Sequence, residues 1–269
     1  MVKLGCKAYS LFGNSIERNL ELIKAAGFDT TCFNHDNNFR KNLEKASDIG
    51  LTVEELEASF SEINSIWEEK TEGDYLTEKI RRCILDAAAY KIPHVVLRVT
   101  FSSNAPKTSA IALVRFGKLV NEAEKQGVKI CLKNAEFVRH IGLLLAMFKS
   151  DNIGLCYDFG HEDCFTPGIK YIPLFGDKIL STRIHDNNGF PADKTVNSKY
   201  DLHRIPFDGS LALSDKCKQL KECAFFGSLM LDITNSDGFY NDLSANEFYN
   251  NAYDAALKLQ HIFEGKECD

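Results

Sequence analysis

Residues 153–161 read IGLCYDFGH: an apolar run that ends in Asp158, with His161 three places on. Two related pieces follow. KILSTRIHDN (178–187) closes an apolar run with His185 and Asp186, and DLHRIPFDG (201–209) supplies Asp201 and His203. Continuous apolar runs of this length are what strands look like when both faces of a parallel sheet are buried. A charged group at the end of such a strand is costly to desolvate alone, so it must pair, bind an ion or face a wet cleft. Asp-x-His and Asp-x-x-His pairs offer the oxygen and nitrogen donors that hold Zn²⁺ or Mn²⁺. Solvated loop polars are the plain alternative.

Working outward, the same kind of run recurs at 2–8, 29–34, 51–59, 94–99, 128–134, 179–185 and 228–233. Helical patterns separate them. Asn14 reads as an N-cap with Glu17 three residues on, Ile16, Leu20 and Ile23 share one face, and Gly27 stops the helix. Further helices are expected at 38–47, from Asp74 through Leu76, Ile80, Ile84 and Ala87, and at 108–126 before Gly127. Others fall at 137–149, 168–176 and 212–223, and the last starts at Ser244 with Glu247 at N3. Eight strand–helix units with no linker or composition shift predict a single (β/α)₈ TIM barrel spanning residues 1–269.

Composition narrows the function classes. Hydrophobic residues make up 44% of 269, enough for a sizeable core. Net charge is −6 with no clustered basic surface, which disfavours nucleic acid. No apolar run is long enough to span a membrane, and MVKLGCKAYSLFG lacks a secretory h-region. Nine cysteines, an odd number without Cys-x-x-Cys, read as small buried groups in a reducing cytoplasm.

In a TIM barrel the working face lies at the C-terminal strand ends. Those ends offer Asn34, His35 and Asp36, then Glu57, Arg98, Lys133 and Asn134. Asp158 with His161, His185 with Asp186, and Asp232 with Asn235 follow, and the seventh loop adds Asp201, His203 and Arg204. The acidic loop 60–73 holds the single tryptophan, Trp67, either as a lid over the mouth or tucked onto the rim.

In order and spacing these residues resemble the xylose isomerase-like TIM barrels, a group of sugar phosphate isomerases and epimerases related to metal-dependent abasic-site endonucleases. CYDFGH, RIHDNNG, DLHRIPFDGSLAL and the opening NSIERNLELIKAAGFD carry the resemblance, which covers essentially the whole chain. It implies a divalent metal held by Glu, Asp, His and Glu on strands five to eight. Asp158 and His185 match, and Asp232 is a shortened strand-eight Glu. Lys133 departs, since an ammonium cannot ligate a metal. Glu57 and Arg98 stand where fuller metal clusters have His. The expectation is that Lys133 bridges Asp158 and Asp232 in place of the ion. His161, Asp201 and His203 resemble the set that holds one zinc in the endonuclease branch, and two imidazoles with a carboxylate leave a position open for water or substrate.

The function this implies is isomerisation or epimerisation of a sugar or sugar phosphate, a small polyhydroxylated carbonyl compound. Lys133 and Asp232 would be the acid–base pair beside His185, and Arg98, Glu57, Asn134, Arg204 and Trp67 would contact substrate. The alternative is a sugar-binding barrel that has lost the chemistry, alone or as a subunit of an active homologue. A phosphodiesterase of the endonuclease kind comes third. The cofactor expected is zinc or manganese at His161, Asp201 and His203, or no metal at all. The partner is a small sugar-like molecule, not nucleic acid or membrane, and homo-oligomerisation stays open.

Overall fold

The computed structural model describes residues 1–58, 60–102, 104–190 and 198–266. Ser59, expected to end the third strand, and 191–197 of the long polar loop lie outside them. Eight strands form the centre: β1 (Leu4–Lys7), β2 (Thr30–Asn34), β3 (Thr52–Ala58), β4 (His94–Arg98), β5 (Lys129–Lys133), β6 (Ile153–Asp158), β7 (Ile179–Arg183) and β8 (Leu229–Leu231). All neighbours pair in parallel in the order β7-β6-β5-β4-β3-β2-β1-β8. The ring closes through one parallel bridge, Ile184 to Leu231. There Ile184 N donates to Met230 O at 2.8 Å and Asp232 N donates to Ile184 O at 3.0 Å. The Thr182 hydroxyl adds a bond to Ser228 O at 3.0 Å and accepts Met230 N at 3.1 Å.

The helices pack outside: α1 (Ile16–Ala26), α2 (Phe39–Asp48), α3 (Thr71–Ala89), α4 (Ala110–Gln126), α5 (Val138–Met147), α6 (Phe159–Phe165), α7 (Tyr171–Phe175), α8 (Leu213–Glu222) and α9 (Ala245–Glu264). Gly27 and Gly127 end α1 and α4 with φ of 118° and 67°, a conformation that favours glycine. Ser244 and Glu247 form a reciprocal capping box. Two caps differ from expectation. Ser15, not Asn14, accepts Arg18 N at α1, while the Asn14 amide donates to Asn19. Lys70 precedes α3, so Asp74 sits in its first turn and pairs with Arg115 at 3.0 Å. Helix α6 was not expected; Asp158 ends β6 and also caps α6, accepting His161 N at 2.9 Å.

Trp67 is neither a lid nor a rim residue. It ends a 3-10 turn (Ile63–Trp67), is 2% exposed, and donates its indole N–H to Val99 O at 2.6 Å. Its ring packs on Phe116 and His140. Burial of the ring and satisfaction of its one polar atom make it part of the packed wall. The eight described cysteines are unpaired, and no helix among the described residues is long and apolar enough to cross a membrane.

Candidate metal centre

Three histidines converge on Asp201 at the C-terminal mouth. His161 Nε2 lies 3.0 Å and His203 Nε2 3.2 Å from Asp201 Oδ2, and His185 Nε2 lies 3.6 Å from Oδ1. One ligand atom from each of these four residues falls within 4.8 Å of the others. His185 lies beside Asp158, as expected from sequence, but it also stands within reach of Asp201, so the two expected sites adjoin instead of standing apart. The His185 ring stacks on His203, with centroids 4.0 Å apart.

The outer nitrogens decide what the inner ones can do. His161 Nδ1 lies 2.7 Å from Asn134 O, and His203 Nδ1 lies 2.6 Å from Asp232 O. A carbonyl only accepts, so each Nδ1 carries a proton. Each neutral ring then turns a bare Nε2 lone pair towards a carboxylate, an arrangement that needs either a second proton or a cation between them. A divalent ion fits this donor set, and a carbonyl behind the ligating imidazole is the usual support. Asp201 Oδ1 and His185 Nδ1 are buried atoms without hydrogen-bond partners. Without an ion the charges still favour separation. Burial works to raise the Asp201 carboxyl, but His203 and His161 hold it well below the usual range. Burial works to lower His203, but Asp201 and Asp232 lift it to about 10.

The backbone places these rings. His203 adopts φ of 52°, a strained conformation for a residue with a side chain. Its segment is tied to both neighbouring strand ends: Thr234 N donates to His203 O at 2.8 Å, and Arg204 exchanges two main-chain bonds with Asp186 at 2.9 Å. The Asp186 carboxylate accepts the amides of Asn187, Phe207 and Leu211, which gives it a loop-holding role. His185 lies directly over Gly160, where any Cβ would overlap the ring. Its Nε2 also reaches Asp158 Oδ1 at 3.0 Å.

Beneath the histidines lies a layer of buried charge. Lys133 Nζ is 3.2 Å from Glu57 Oε1 and 3.5 Å from Asp232 Oδ2. It therefore bridges Glu57 and Asp232, not the expected Asp158 and Asp232, because Asp158 is turned to His185 and His161. Lys7 pairs with Glu57, Arg183 with Glu55, and Tyr9 donates its hydroxyl to Asp232. Three cations (Lys7, Lys133, Arg183) thus face three carboxylates (Glu55, Glu57, Asp232). A second ion held by Asp158 and Asp232 does not fit, since cations already occupy the Asp232 side.

These contacts engage four of the residues expected at the site. Burial works to lower Lys133, but Glu57 and Asp232 override it and raise the ammonium above its ordinary value. Glu57 is engaged by Lys7, Lys133 and Arg183. The Asn134 amide is spent on the β6 backbone, donating to Asp158 O at 2.9 Å and accepting Asp158 N at 2.6 Å. Arg204 is likewise engaged: its Nε donates to Asp237 at 2.9 Å and its guanidinium lies 4.1 Å over Phe239. Arg98 stands at the end of β4 and pairs with Glu136 at 3.0 Å. Lys7, Tyr9, Glu55, Arg183 and Glu136 were missed. Lys7 ends β1 as Glu57 nearly ends β3, so reading the first strand end would have found it.

No family model matches the sequence. The protein y4fM of Sinorhizobium fredii (strain NBRC 101917 / NGR234) is 25% identical over 294 aligned positions, covering 93% of this chain and 90% of that one. Among solved structures, a xylose isomerase-like TIM barrel/4-hydroxyphenylpyruvate dioxygenase fusion protein superposes at a TM-score of 0.79 with 16% identity. All of this chain is covered, and it spans 45% of the fusion's length. D-psicose 3-epimerase from Clostridium cellulolyticum H10, solved with D-tagatose, gives 0.77 at 11% identity, covering 99% of this chain and 100% of that one. The IOLI protein, solved with a zinc atom, gives 0.75 at 17% identity, covering 99% and 100%. The fold is that of the xylose isomerase-like TIM barrels. Sugar epimerases and the zinc-binding IOLI protein share it.

Proposed function

We propose that this chain is a metal-dependent sugar isomerase or epimerase acting on a small polyhydroxylated carbonyl compound, with zinc or manganese held by His161, His185, Asp201 and His203. The observation that carries the reading is the double main-chain lock on His161 and His203, which turns both Nε2 atoms towards one carboxylate. The epimerase solved with D-tagatose and the IOLI protein solved with zinc lend it support through their shared fold. A bound divalent ion supplies Lewis acidity towards a substrate carbonyl or hydroxyl. The chain's own residues do the rest. Asp201, 10% exposed, is our candidate for the carboxylate that takes a substrate proton. Lys133 keeps its proton and serves as fixed positive charge next to Asp232.

One observation favours a sugar-binding barrel without proton transfer: every carboxylate of the interior layer is already paired with a cation. Elemental analysis of the purified chain, followed by deuterium exchange from D₂O into D-tagatose, separates the two. Bound metal with exchange that Asp201→Asn abolishes supports the enzyme. Bound metal and saturable D-tagatose binding without exchange supports the binding barrel. A chain that retains neither zinc nor manganese ends the metal reading.

A further inference from the structure

The helices around the barrel differ in what they turn to solvent. The outer faces of α1, α2 and α3 are laced with ion pairs, among them Glu17–Lys41, Glu21–Lys45 and Glu78–Arg82. Helix α5 is different. From Ile141 to Phe148 the chain reads IGLLLAMF, about two turns without a polar side chain. Its one Lys, Arg, Asp or Glu residue, Arg139, stands in the first turn. Ile141, Leu144 and Leu145 are buried, whereas Met147 is 56% exposed. A helix that is apolar all round is ordinarily covered on every side.

The apolar surface continues onto both neighbours. Towards α4, a Cβ at Gly117 would lie 3.6 Å from the Phe148 ring, and one turn earlier Val114 is 57% exposed. Towards α7, a Cβ at Gly142 would lie 3.7 Å from the Phe175 ring, and the adjacent Leu174 is 57% exposed. The two rings bridge the helices, so Val114, Met147 and Leu174 stand on one continuous face. Each of the three offers roughly 100 Å². With the partly buried side chains between them the face reaches about 500 Å², near the upper end of what a monomer ordinarily leaves uncovered.

We infer that a second copy of this chain covers this face, through a two-fold contact of α5 and α7 with their counterparts. Its central stretches, IGLLLAMF of α5 and IPLF of α7, hold no charge to complement a foreign protein; Lys118, Arg139, Lys149 and Asp177 come only at their edges. Homodimer interfaces are the more apolar class. A two-fold contact uses one patch twice, and about 500 Å² from each copy makes about 1,000 Å², the threshold of a specific interface. An uncharged centre suits that symmetry, because a charge near the axis would meet its own kind.

Sedimentation equilibrium of the full chain over a range of concentrations tests it, and a monomer–dimer equilibrium is expected. Met147→Arg and Leu174→Arg alter exposed side chains, so the far-ultraviolet dichroism should stay barrel-like while dimerisation weakens by about 30-fold or more. Phe226→Arg, at a 95% exposed side chain ahead of β8 and outside the face, should leave the dimer unchanged. Because an Arg variant can fail to fold, a second measurement uses the unaltered chain: peroxide oxidation of Met147, read by mass spectrometry, should slow as chain concentration rises. A chain that is monomeric at every concentration overturns the inference and leaves the face to another occupant. A dimer that both folded variants retain, one that Phe226→Arg weakens equally, or Met147 oxidation independent of concentration overturns it too.

Discussion

The Nδ1 of His203 lies 2.6 Å from the main-chain oxygen of Asp232, so a loop histidine is oriented by the strand that carries a carboxylate of the interior charge layer. The strained φ of 52° at His203 is sustained by this bond and by Thr234 N on its own carbonyl. The centre is therefore expected to take one zinc ion per chain. His203→Gln should weaken zinc binding by more than roughly 100-fold, beyond the range seen when only an outer partner is lost. Chelator competition measures it, and unchanged affinity would remove His203 from the ligand set.

Gly160 leaves just enough room for the His185 ring. Gly160→Ala should displace that ring, lowering zinc affinity by about 10- to 100-fold, comparable to disturbing a supporting partner. The far-ultraviolet dichroism should stay barrel-like. Wild-type zinc affinity in this variant would mean that His185 is not a ligand.

Lys133 is the shared partner of Glu57 and Asp232. Lys133→Met leaves buried carboxylates short of a cation and should cost about 3–5 kcal/mol in urea unfolding. Adding Glu57→Gln should recover part of the loss, since the two residues are in contact. Strict additivity of the two changes would contradict the bridge.

Glu57 and Asp232 also set the behaviour in acid. Burial alone would raise both carboxyls, but Lys133, Lys7 and Arg183 hold them below the ordinary carboxylate range. Their folded values lie below their unfolded ones, so the stability they contribute is complete above about pH 4 to 5 and is lost as pH falls towards the folded values. The urea midpoint should drop steeply below about pH 4, and less steeply in Lys133→Met. A flat acid limb would argue that the layer is not ionised as paired.

Trp67→Phe removes the 2.6 Å bond to Val99 O and should cost about 1–3 kcal/mol while leaving D-tagatose affinity unchanged. The native tryptophan should emit at short wavelength and not shift with ligand. A ligand-dependent shift would return Trp67 to the mouth.

The barrel was legible because continuous apolar runs alternate with helical periodicity and because Gly27, Gly127 and the Ser244–Glu247 pair punctuate the chain by local chemistry. His161, His185, Asp201 and His203 were visible as polar groups at or just beyond strand ends. His161, Asp201 and His203 were already grouped through the resemblance; that His185 joins them was not, since it depends on where the 201–204 segment is pinned by Asp186 and Thr234. Glu55 was missed because it sits inside β3, and Arg183 because the expected strand ran on to His185; here they neutralise one another inside the ring. Trp67 misled because an acidic loop suggested exposure, while a single carbonyl at Val99 draws the indole inwards.

The link between β7 and β8 has one further consequence. It rests on a single bridge at Ile184 and Leu231, reinforced by the Thr182 hydroxyl. This is the seam of the molecule, and the histidines straddle it: His185 follows β7, while His203 is fastened to the end of β8. An ion gripped by both would act as a rivet across the weakest joint. Amide exchange at Ile184 and Asp232 should then slow on zinc addition more than exchange anywhere between β3 and β4.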